Sequence, residues 1–326
     1  MKKITILNDC KMNISVIIPV YNSEQTLTAI VKRLQPILEV EATEYELIFV
    51  NDGSSDESWD VIRDLSSTHS WVRGINLMRN YGQHNALLCG IRSARYEIIV
   101  TMDDDLQHPP EEVPKLLRKL QEGYDVVYGT PQKQQHGFWR DMASHVTKLV
   151  MKSTMDVQVA RNASAFRAFR SGIRMAFADY QGPFVSIDVL LTWGTTRFAA
   201  IPVRHDERRE GLSNYNFRKL LTHAVNMMTG FSTLPLRLAS IVGFGFSLFG
   251  FIVLVYVVGR YLFEGSGVPG FPFLAAVISI FSGVQLFGLG IIGEYLARMH
   301  YRAMSRPYCV IRDIVGSASD IAKDRK

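Results

Sequence analysis

Residues 97–110 read EIIVTMDDDLQHPP, an apolar run followed by three adjacent carboxylates and a Pro-Pro pair. The run Glu97–Met102 is short and rich in β-branched residues, which predicts a buried strand. Pro109-Pro110 favours the start of a helix over Glu111–Gln121, because proline fits the first helical turn. The segment therefore predicts a strand, a polar turn and a helix, which together form one unit of an α/β sheet.

The same order of apolar run, polar turn and helix repeats elsewhere in the chain. Further strands are predicted at Ile14–Val20, Tyr45–Val50, Val72–Leu77, Val126–Tyr128 and Phe198–Val203. Apolar residues at helical spacing follow the first three of these strands. Strands that alternate with helices predict a doubly wound, mostly parallel sheet, whose ligand crevice lies at the carboxyl ends of its strands.

Composition separates a polar first part from a strongly apolar last third. The three cysteines, Cys10, Cys89 and Cys309, are too few and too scattered for a disulfide framework, which indicates a reducing compartment. Residues 1–13 contain no signal-like apolar stretch, so the first domain is expected in the cytoplasm. The net charge is +5, and much of the basic excess lies near the apolar segments. This pattern favours a membrane surface or phosphate ligands, and no nucleic-acid partner is expected.

Two long apolar stretches lie near the C-terminus, at Leu234–Phe263 and Phe271–Leu296. Each exceeds the roughly 20 residues that cross a bilayer. Basic residues flank their outer ends, which predicts a transmembrane hairpin with both termini in the cytoplasm. A buried helical pair in a soluble protein is the alternative. The predicted organisation is an α/β domain at 1–215, an amphipathic interfacial helix at 216–233, the hairpin at 234–297 and a cytoplasmic tail at 298–326.

The three carboxylates after the fourth predicted strand indicate a metal site. Adjacent carboxylates repel one another unless a cation lies among them. In an extended segment Asp103, Asp105 and Gln107 point the same way, and Asp104 faces elsewhere, because side chains alternate. Oxygen ligands of this kind suit Mg²⁺ or Mn²⁺, which share their remaining positions with substrate phosphates. A solvated acidic turn is the alternative, but the position at a strand end favours a metal.

A second acidic turn, NDGSSD at residues 51–56, falls on the same predicted edge. Asp52 is placed to accept hydrogen bonds from a base or ribose, as acidic residues do at strand ends in nucleotide-binding sheets. His84 and His108 are interpreted as polar loop residues. Three residues at the end of the first strand are candidates to complete a nucleoside pocket: Pro19, Tyr21 and Glu24.

Four motifs together carry a resemblance to a known family. They are IIPVYN at 17–22, NDGSSD at 51–56, RNYGQHNA at 79–86 and DDDLQHPPEEVP at 103–114. In this order and spacing, and followed by a paired apolar tail, they resemble the family-2 glycosyltransferases that act on polyprenyl phosphates. The resemblance covers nearly the whole chain, and the full set is far more specific than any one motif.

The resemblance implies a GT-A fold and an inverting transfer of a sugar from a nucleotide diphosphate sugar, with UDP favoured, to a polyprenyl phosphate. It implies a multi-pass enzyme of the inner membrane that makes a lipid-linked sugar for cell-envelope glycan or lipopolysaccharide modification. Homo-oligomers are also implied. Metal contacts are implied at Asp103, Asp105 and Gln107. Nucleotide contacts are implied at Pro19, Tyr21, Asp52 and Asp103, with Glu24 and Asp104 as further candidates.

The chain departs from the family pattern at two polar positions before the membrane. Relatives place an Arg and, six residues later, a Lys in this region, and here Arg208 matches while Asn214 occupies the Lys position. Asn162 stands where relatives carry an acidic residue, which argues against a general base. A phosphate monoester is already anionic near neutral pH, so the acceptor scarcely needs a base.

Charge compensation of the acceptor phosphate then falls to arginines, whose fork matches phosphate oxygens. We expect Asp105, Arg167 and Arg208 to carry catalysis. Arg140 and Lys133 are further candidates to bind the acceptor phosphate, and surface charge on a helix is the alternative for both.

Two other functions fit parts of the sequence. A processive polysaccharide synthase is disfavoured, because a QxxRW-type motif is absent and two spans leave little room for a polymer channel. A catalytically impaired membrane scaffold is favoured by Asn162 and Asn214 and disfavoured by the intact acidic turn at 103–107.

Overall fold

The computed structural model describes residues 11–131, 163–181, 185–206, 234–264, 270–304 and 307–316. Several predicted features lie outside these ranges. They are Lys133, Arg140, Asn162, Arg208, Asn214 and the interfacial helix at 216–233.

The described strands are β1 (Met12–Val20), β2 (Ala42–Asn51), β3 (Val72–Leu77), β4 (Ile98–Thr101), β5 (Val126–Pro131), β6 (Arg167–Arg170), β7 (Phe198–Val203) and β8 (Ile311–Val315). The described α-helices are α1 (Glu24–Glu41), α2 (Ser58–Thr68), α3 (Gln83–Ser93), α4 (Val113–Gln121), α5 (Ile187–Gly194), α6 (Leu234–Glu264) and α7 (Phe271–Ala303). Short 3-10 helices occupy Pro110–Glu112 and Ser171–Phe177. The elements predicted from the sequence at these places are confirmed, with shifted ends.

All eight described strands belong to one sheet, in the order β7-β5-β6-β4-β1-β2-β3-β8. The central strands β3, β2, β1 and β4 are parallel, with Ile17 opposite Ile48 and Val50 opposite Ile75. Such strands are buried on both faces, which is why they read as continuous apolar runs. The prediction of a mostly parallel α/β sheet is confirmed.

Apolar residues cover both faces of the sheet. One layer places α1, α2 and α4 against side chains such as Val16 and Ile18 of β1. The other layer places α3 and α5 against Ile17 and the facing residues of β2 and β3. Because helices occupy both faces, the polar turns are left at the edges of the sheet, where strands end.

Two strands were not predicted. Both β6 and β8 are short and charged, as RAFR and IRDIV, so their apolar pattern is weak. The first lies antiparallel between β4 and β5, and the second lies antiparallel to β3 at the far edge. The segment predicted as a cytoplasmic tail, 298–326, contains regular structure in its described part. Its first residues continue α7, and Ile311–Val315 completes the sheet of the α/β domain.

The helices α6 and α7 are long and apolar enough to cross a membrane. Their candidate spans are Pro235–Arg260, with mean hydropathy 2.5, and Ile280–His300, with mean hydropathy 1.4. Neither span is buried inside the protein, so the alternative of a buried helical pair does not fit. In the chain, β7 precedes both helices and β8 follows them, and the two strands belong to the same sheet.

Candidate active site

Four polar turns meet where the central parallel strands end. They follow β1, β2, β3 and β4 and contain residues 21–23, 52–57, 78–82 and 102–108. Carboxyl ends of adjacent parallel strands share one edge, and this edge is where ligands bind in open α/β sheets. Topology therefore brings the predicted acidic residues after β2 and β4 to one edge of the sheet.

Asp104 ties the acidic turn after β4 to the turn after β1. Its carboxylate accepts hydrogen bonds from the Ser23 hydroxyl at 2.6 Å and from the backbone N–H of Tyr21 at 3.2 Å. Leu106 has a φ of 58°, an uncommon conformation for a residue with a side chain, and it bends the turn. Asp104 thus holds the turn after β1 against the turn after β4. Asp104 was expected to face away from Asp103 and Asp105, and these contacts agree with that.

Asp103 lies where its negative charge is poorly compensated. Burial, followed by the nearby charges of Asp105 and Asp104, raises the pKa of Asp103 to about 7. Its Oδ1 accepts a hydrogen bond from Nε2 of Gln83 at 2.6 Å. Sequence reasoning missed Gln83, although it belongs to the quoted motif RNYGQHNA.

The acidic turn has the donor chemistry of an open divalent-cation site. Asp105 accepts a hydrogen bond from the backbone N–H of Gln107 at 3.0 Å, so the two residues are held in one turn. Within the described ranges no three His, Cys, Asp or Glu side chains converge on one point. Two carboxylates and one amide leave several positions for substrate oxygens, as Mg²⁺ and Mn²⁺ sites often do. The raised pKa of Asp103 and this hard-oxygen set fit such a cation.

Asp52 supports the loop that follows β3. It is 3% exposed, and its two oxygens accept the backbone N–H groups of Tyr81 at 2.7 Å and Gly82 at 2.8 Å. Burial raises the pKa of Asp52 and outweighs these two hydrogen bonds. Gly53, with φ +68°, brings the two loops together, since a Cβ there would lie 2.6 Å from the Asn80 nitrogen. Direct contact of Asp52 with a base or ribose stays a prediction.

The other predicted nucleoside residues divide between structure and surface. Glu24 accepts the N–H of Glu57 at 2.8 Å, and Asp56 accepts the N–H of Glu24 at 3.2 Å, so the two carboxylates cap each other's helices. Pro19 is buried within β1. Tyr21 is 52% exposed at the edge and is free to contact a planar ligand.

Arg167 lies inside the domain rather than on its surface. It is 1% exposed, pairs with Asp188 of α5, and donates from Nε to the Thr101 hydroxyl at 3.1 Å. Its guanidinium carbon lies 5.9 Å from the ring of Tyr128. The prediction that Arg167 contacts the acceptor phosphate is corrected, because the β6 strand directs this side chain into the core. From there its positive charge offsets part of the rise in the pKa of Asp103 that burial, Asp105 and Asp104 cause.

The family model described as glycosyl transferase family 2 matches residues 15–180. The chain belongs to glycosyltransferase family 2. An undecaprenyl-phosphate 4-deoxy-4-formamido-L-arabinose transferase of Shewanella sediminis is 35% identical over 314 residues, which cover 95% of each chain. One of the same name from Aeromonas hydrophila is 36% identical over 310 residues, covering 94% of this chain and 95% of its own. The resemblance seen in the motifs is confirmed, and it extends through both long helices.

Solved structures confirm the GT-A fold of this family-2 chain. A glucosyl-3-phosphoglycerate synthase of Mycobacterium tuberculosis, in complex with Mn²⁺, UDP-glucose and phosphoglyceric acid, has a TM-score of 0.51 and 18% identity. The similarity covers 67% of this chain and 78% of that one. Its complex with Mn²⁺, UDP and glucosyl-3-phosphoglycerate gives the same TM-score. At this identity the likeness establishes the fold.

The family-2 domain also links the acidic turn to the last residues described after β7. The carbonyl of Gln107 accepts the N–H of Asp206 at 2.8 Å. His108, 8% exposed, stacks on Phe166 at 5.3 Å and meets the ring of His205 at 4.9 Å. Burial, then His205, lowers the pKa of His108 to about 4, so the ring is neutral. This packing fits a structural role.

One acidic residue of the buried layer was missed by sequence reasoning. Asp188 stands in the first turn of α5, within the apolar run SIDVLL, and it is the ion-pair partner of Arg167. A single carboxylate among buried apolar residues is a usable signal, since buried charges are normally paired. The sequence does not identify Arg167 as its partner, because β6 and α5 become neighbours only in the folded protein.

Proposed function

We propose that this protein transfers a sugar, with inversion, from a UDP-sugar to a polyprenyl phosphate at the cytoplasmic face of the inner membrane. The lipid-linked sugar would serve cell-envelope glycan or lipopolysaccharide modification. One observation carries the proposal: the acidic turn at 103–107 lies at the carboxyl edge of a sheet whose chain continues into two membrane-length helices and then returns to that sheet. The names of the full-length relatives support the acceptor and the sugar class.

Asp103, Asp105 and Gln107 would hold Mg²⁺ or Mn²⁺ in this reaction. Bound there, the cation supplies charge that stabilises the departing nucleoside diphosphate. The start of the turn is prearranged by two contacts, that of Asp104 with Ser23 and that of Asp103 with Gln83. Prearranged groups avoid reorganisation at the moment of transfer, which is where electrostatic catalysis gains most.

The nucleoside is expected against the first three strand ends. Tyr21 is exposed there, and Asp52 fixes the N–H groups of residues 81 and 82 in one arrangement. Pro19 and Glu24 would act through the shape of the turn, because one is buried and the other caps α2. Of these four residues, Tyr21 would therefore contact the nucleoside through its ring, while Asp52, Pro19 and Glu24 would shape the backbone around it.

The acceptor phosphate needs alignment and positive charge rather than deprotonation. Arg208 is the leading candidate, with Arg140 and Lys133 as further candidates. The hydrogen bond from Asp206 to Gln107 supports this candidate, because Asp206 is two residues before Arg208 in the chain. Arg167 would contribute from within the domain, because its positive charge favours the ionised form of Asp103.

A direct assay tests the proposal. The purified full-length protein in detergent is incubated with labelled UDP-, GDP- and dTDP-sugars and a short polyprenyl phosphate. We expect one labelled lipid with a UDP-sugar, at least about 100-fold less with Asp105→Ala, and none in EDTA. Asp60→Asn, on the exposed surface of α2, is the matched control and should retain activity. Full turnover in EDTA would contradict the proposal.

The same assay separates the alternative functions. Mass spectrometry of the lipid product identifies the sugar and shows whether one unit or a polymer was added. A polymer would indicate a processive synthase, and no product with any donor would favour a scaffold. Light scattering of the detergent-solubilised protein tests whether it forms homo-oligomers.

A further inference from the structure

The segment after the second long helix returns to the family-2 domain and contacts two of its elements. The carbonyl of Val310 accepts the N–H of Met78 at 2.9 Å, and Nη2 of Arg312 donates to the Met78 carbonyl at 3.2 Å. The ring of Tyr308 lies 4.2 Å from the guanidinium carbon of Arg92 on α3. We call residues 307–316 the return segment. It contacts α3 and the end of β3, which flank the loop at 78–82.

A pair of cysteines lies at this junction. Cys89 is on α3 and 1% exposed, while Cys309 is in the return segment and half-buried. Cys309 packs against the apolar cluster to which Cys89 belongs, although both long helices separate the two in the sequence. Its neighbours hold it there, since Tyr308 contacts Arg92, one helical turn after Cys89, and Val310 contacts Met78. Cys10 lies outside the described residues. Neighbouring thiols of this kind meet the first requirement for a disulfide, which is proximity.

The two thiols differ in reactivity. Hydrogen bonds from Cys89 and Tyr308, together with the charge of Arg92, lower the pKa of Cys309. The contact with Cys309 and burial raise the pKa of Cys89. A half-buried cysteine with a lowered pKa beside a buried cysteine with a raised pKa is the arrangement of a reactive and a resolving cysteine.

A metal site fits these residues less well than a covalent bond does. The nearby guanidinium of Arg92 is positive and would oppose a cation. No third His, Cys, Asp or Glu converges on the pair in the part of the chain that the structure describes. Soft metals usually take four ligands in structural sites.

We propose that Cys89 and Cys309 are a redox modification site, where a peroxide forms a reversible intrachain disulfide. The Cys309 thiolate attacks one peroxide oxygen, the O–O bond breaks, and sulfenic acid and hydroxide result. The Cys89 sulfur then attacks the Cys309 sulfur. The S–O bond breaks, and the oxygen leaves as water with the Cys89 proton. Two electrons pass from the sulfurs to the peroxide, and a dithiol reductant restores both thiols.

The disulfide would fasten the return segment to α3. The first turn of α3 includes Gln83, which contacts Asp103, and follows Gly82, which contacts Asp52. A bond at Cys89 therefore acts on the helix that supports the candidate active site. Cytosolic disulfides in most organisms are transient and redox-sensing, which suits a site at this position. Bond formation does not depend on the proposed function.

The test uses full-length protein in detergent, treated with a small excess of hydrogen peroxide. Digestion without reductant, followed by mass spectrometry, should show peptides containing Cys89 and Cys309 joined with the loss of two hydrogens. Dithiothreitol should separate them. With Cys89→Ser, dimedone should trap a sulfenic acid at Cys309. With Cys309→Ser, no intrachain disulfide should form, and Cys10→Ser should behave as wild type.

A second measurement tests the mechanical consequence. Hydrogen exchange of amides in Ile311–Val315 should be at least about tenfold slower in the oxidised protein than in the reduced one, because detachment of β8 is then opposed. Cys309→Ser should show no such difference, while its thermal stability confirms that it folds. A free Cys309 thiol after peroxide treatment, a disulfide with Cys10, or stoichiometric Zn²⁺ binding that protects the thiols would overturn the proposal.

Discussion

Nε2 of Gln83 lies 2.6 Å from Oδ1 of Asp103, so the first residue of α3 orients the first carboxylate of the acidic turn. This contact joins the start of α3 to the turn after β4. It predicts a role for Gln83 in metal binding that is independent of catalysis.

Gln83→Ala should weaken Mn²⁺ affinity about tenfold, because outer hydrogen bonds typically change metal affinity by about 10- to 100-fold. Titration of the purified protein by electron paramagnetic resonance measures free Mn²⁺. Gln35→Ala, in which an exposed glutamine of α1 loses its contact with Glu39, is the control and should bind normally. Unchanged affinity in Gln83→Ala would exclude the orienting role.

Mn²⁺ affinity should rise with pH up to about 7 and then level off. The reason is the pKa of Asp103, raised to about 7 by burial and by Asp105 and Asp104. Below that pH a proton competes with the cation, so affinity falls by up to about tenfold for each pH unit. Isothermal titration between pH 5.5 and 8 measures the profile. Asp103→Asn should bind weakly at every pH and lose this inflection.

Asp188→Asn should destabilise the domain by about 3 kcal/mol, because it leaves the buried Arg167 guanidinium without its counter-ion. Thermal unfolding in detergent measures the loss. Arg170→Gln, which removes a half-exposed charge from the same strand, should cost less than about 1 kcal/mol. A normal melting temperature with a raised KM for the lipid in Asp188→Asn would instead place Arg167 at the acceptor.

Gly316→Ala should loosen the return segment. Gly316 has φ +94°, and a Cβ there would lie 2.2 Å from the Val72 carbonyl oxygen. Both strain and overlap oppose the substitution, with a cost of at least about 1 kcal/mol. Limited proteolysis should cut the C-terminal residues faster. Gly172→Ala, whose Cβ would meet nothing within 4 Å, is the control, and equal cleavage of both variants would contradict the expectation.

The parallel core and the position of the site were predictable from the sequence. Runs such as ISVIIPV are apolar throughout because parallel strands are buried on both faces, and polar turns follow them because those ends are exposed. The acidic turn at 103–107 could be found for the same reason. The two long helices followed from length and hydropathy alone.

Side-chain partners were decided by tertiary structure. Arg167 was predicted to bind the acceptor phosphate, yet the pairing of β6 between β4 and β5 directs it inward to Asp188. The carboxylates of Asp52, Glu24 and Asp104 bind backbone or hydroxyl groups from other turns, and such contacts depend on which strands are neighbours.

By itself, the sequence determined an α/β glycosyltransferase domain with a metal-type acidic turn and two membrane-length helices, since periodicity, composition and motif spacing are local properties. Only the tertiary structure joined residues that are distant in the chain. It placed β8 beside β3 and packed Cys309 against the cluster that contains Cys89, because strand pairing and close packing bring together segments whose sequences carry no mark of each other.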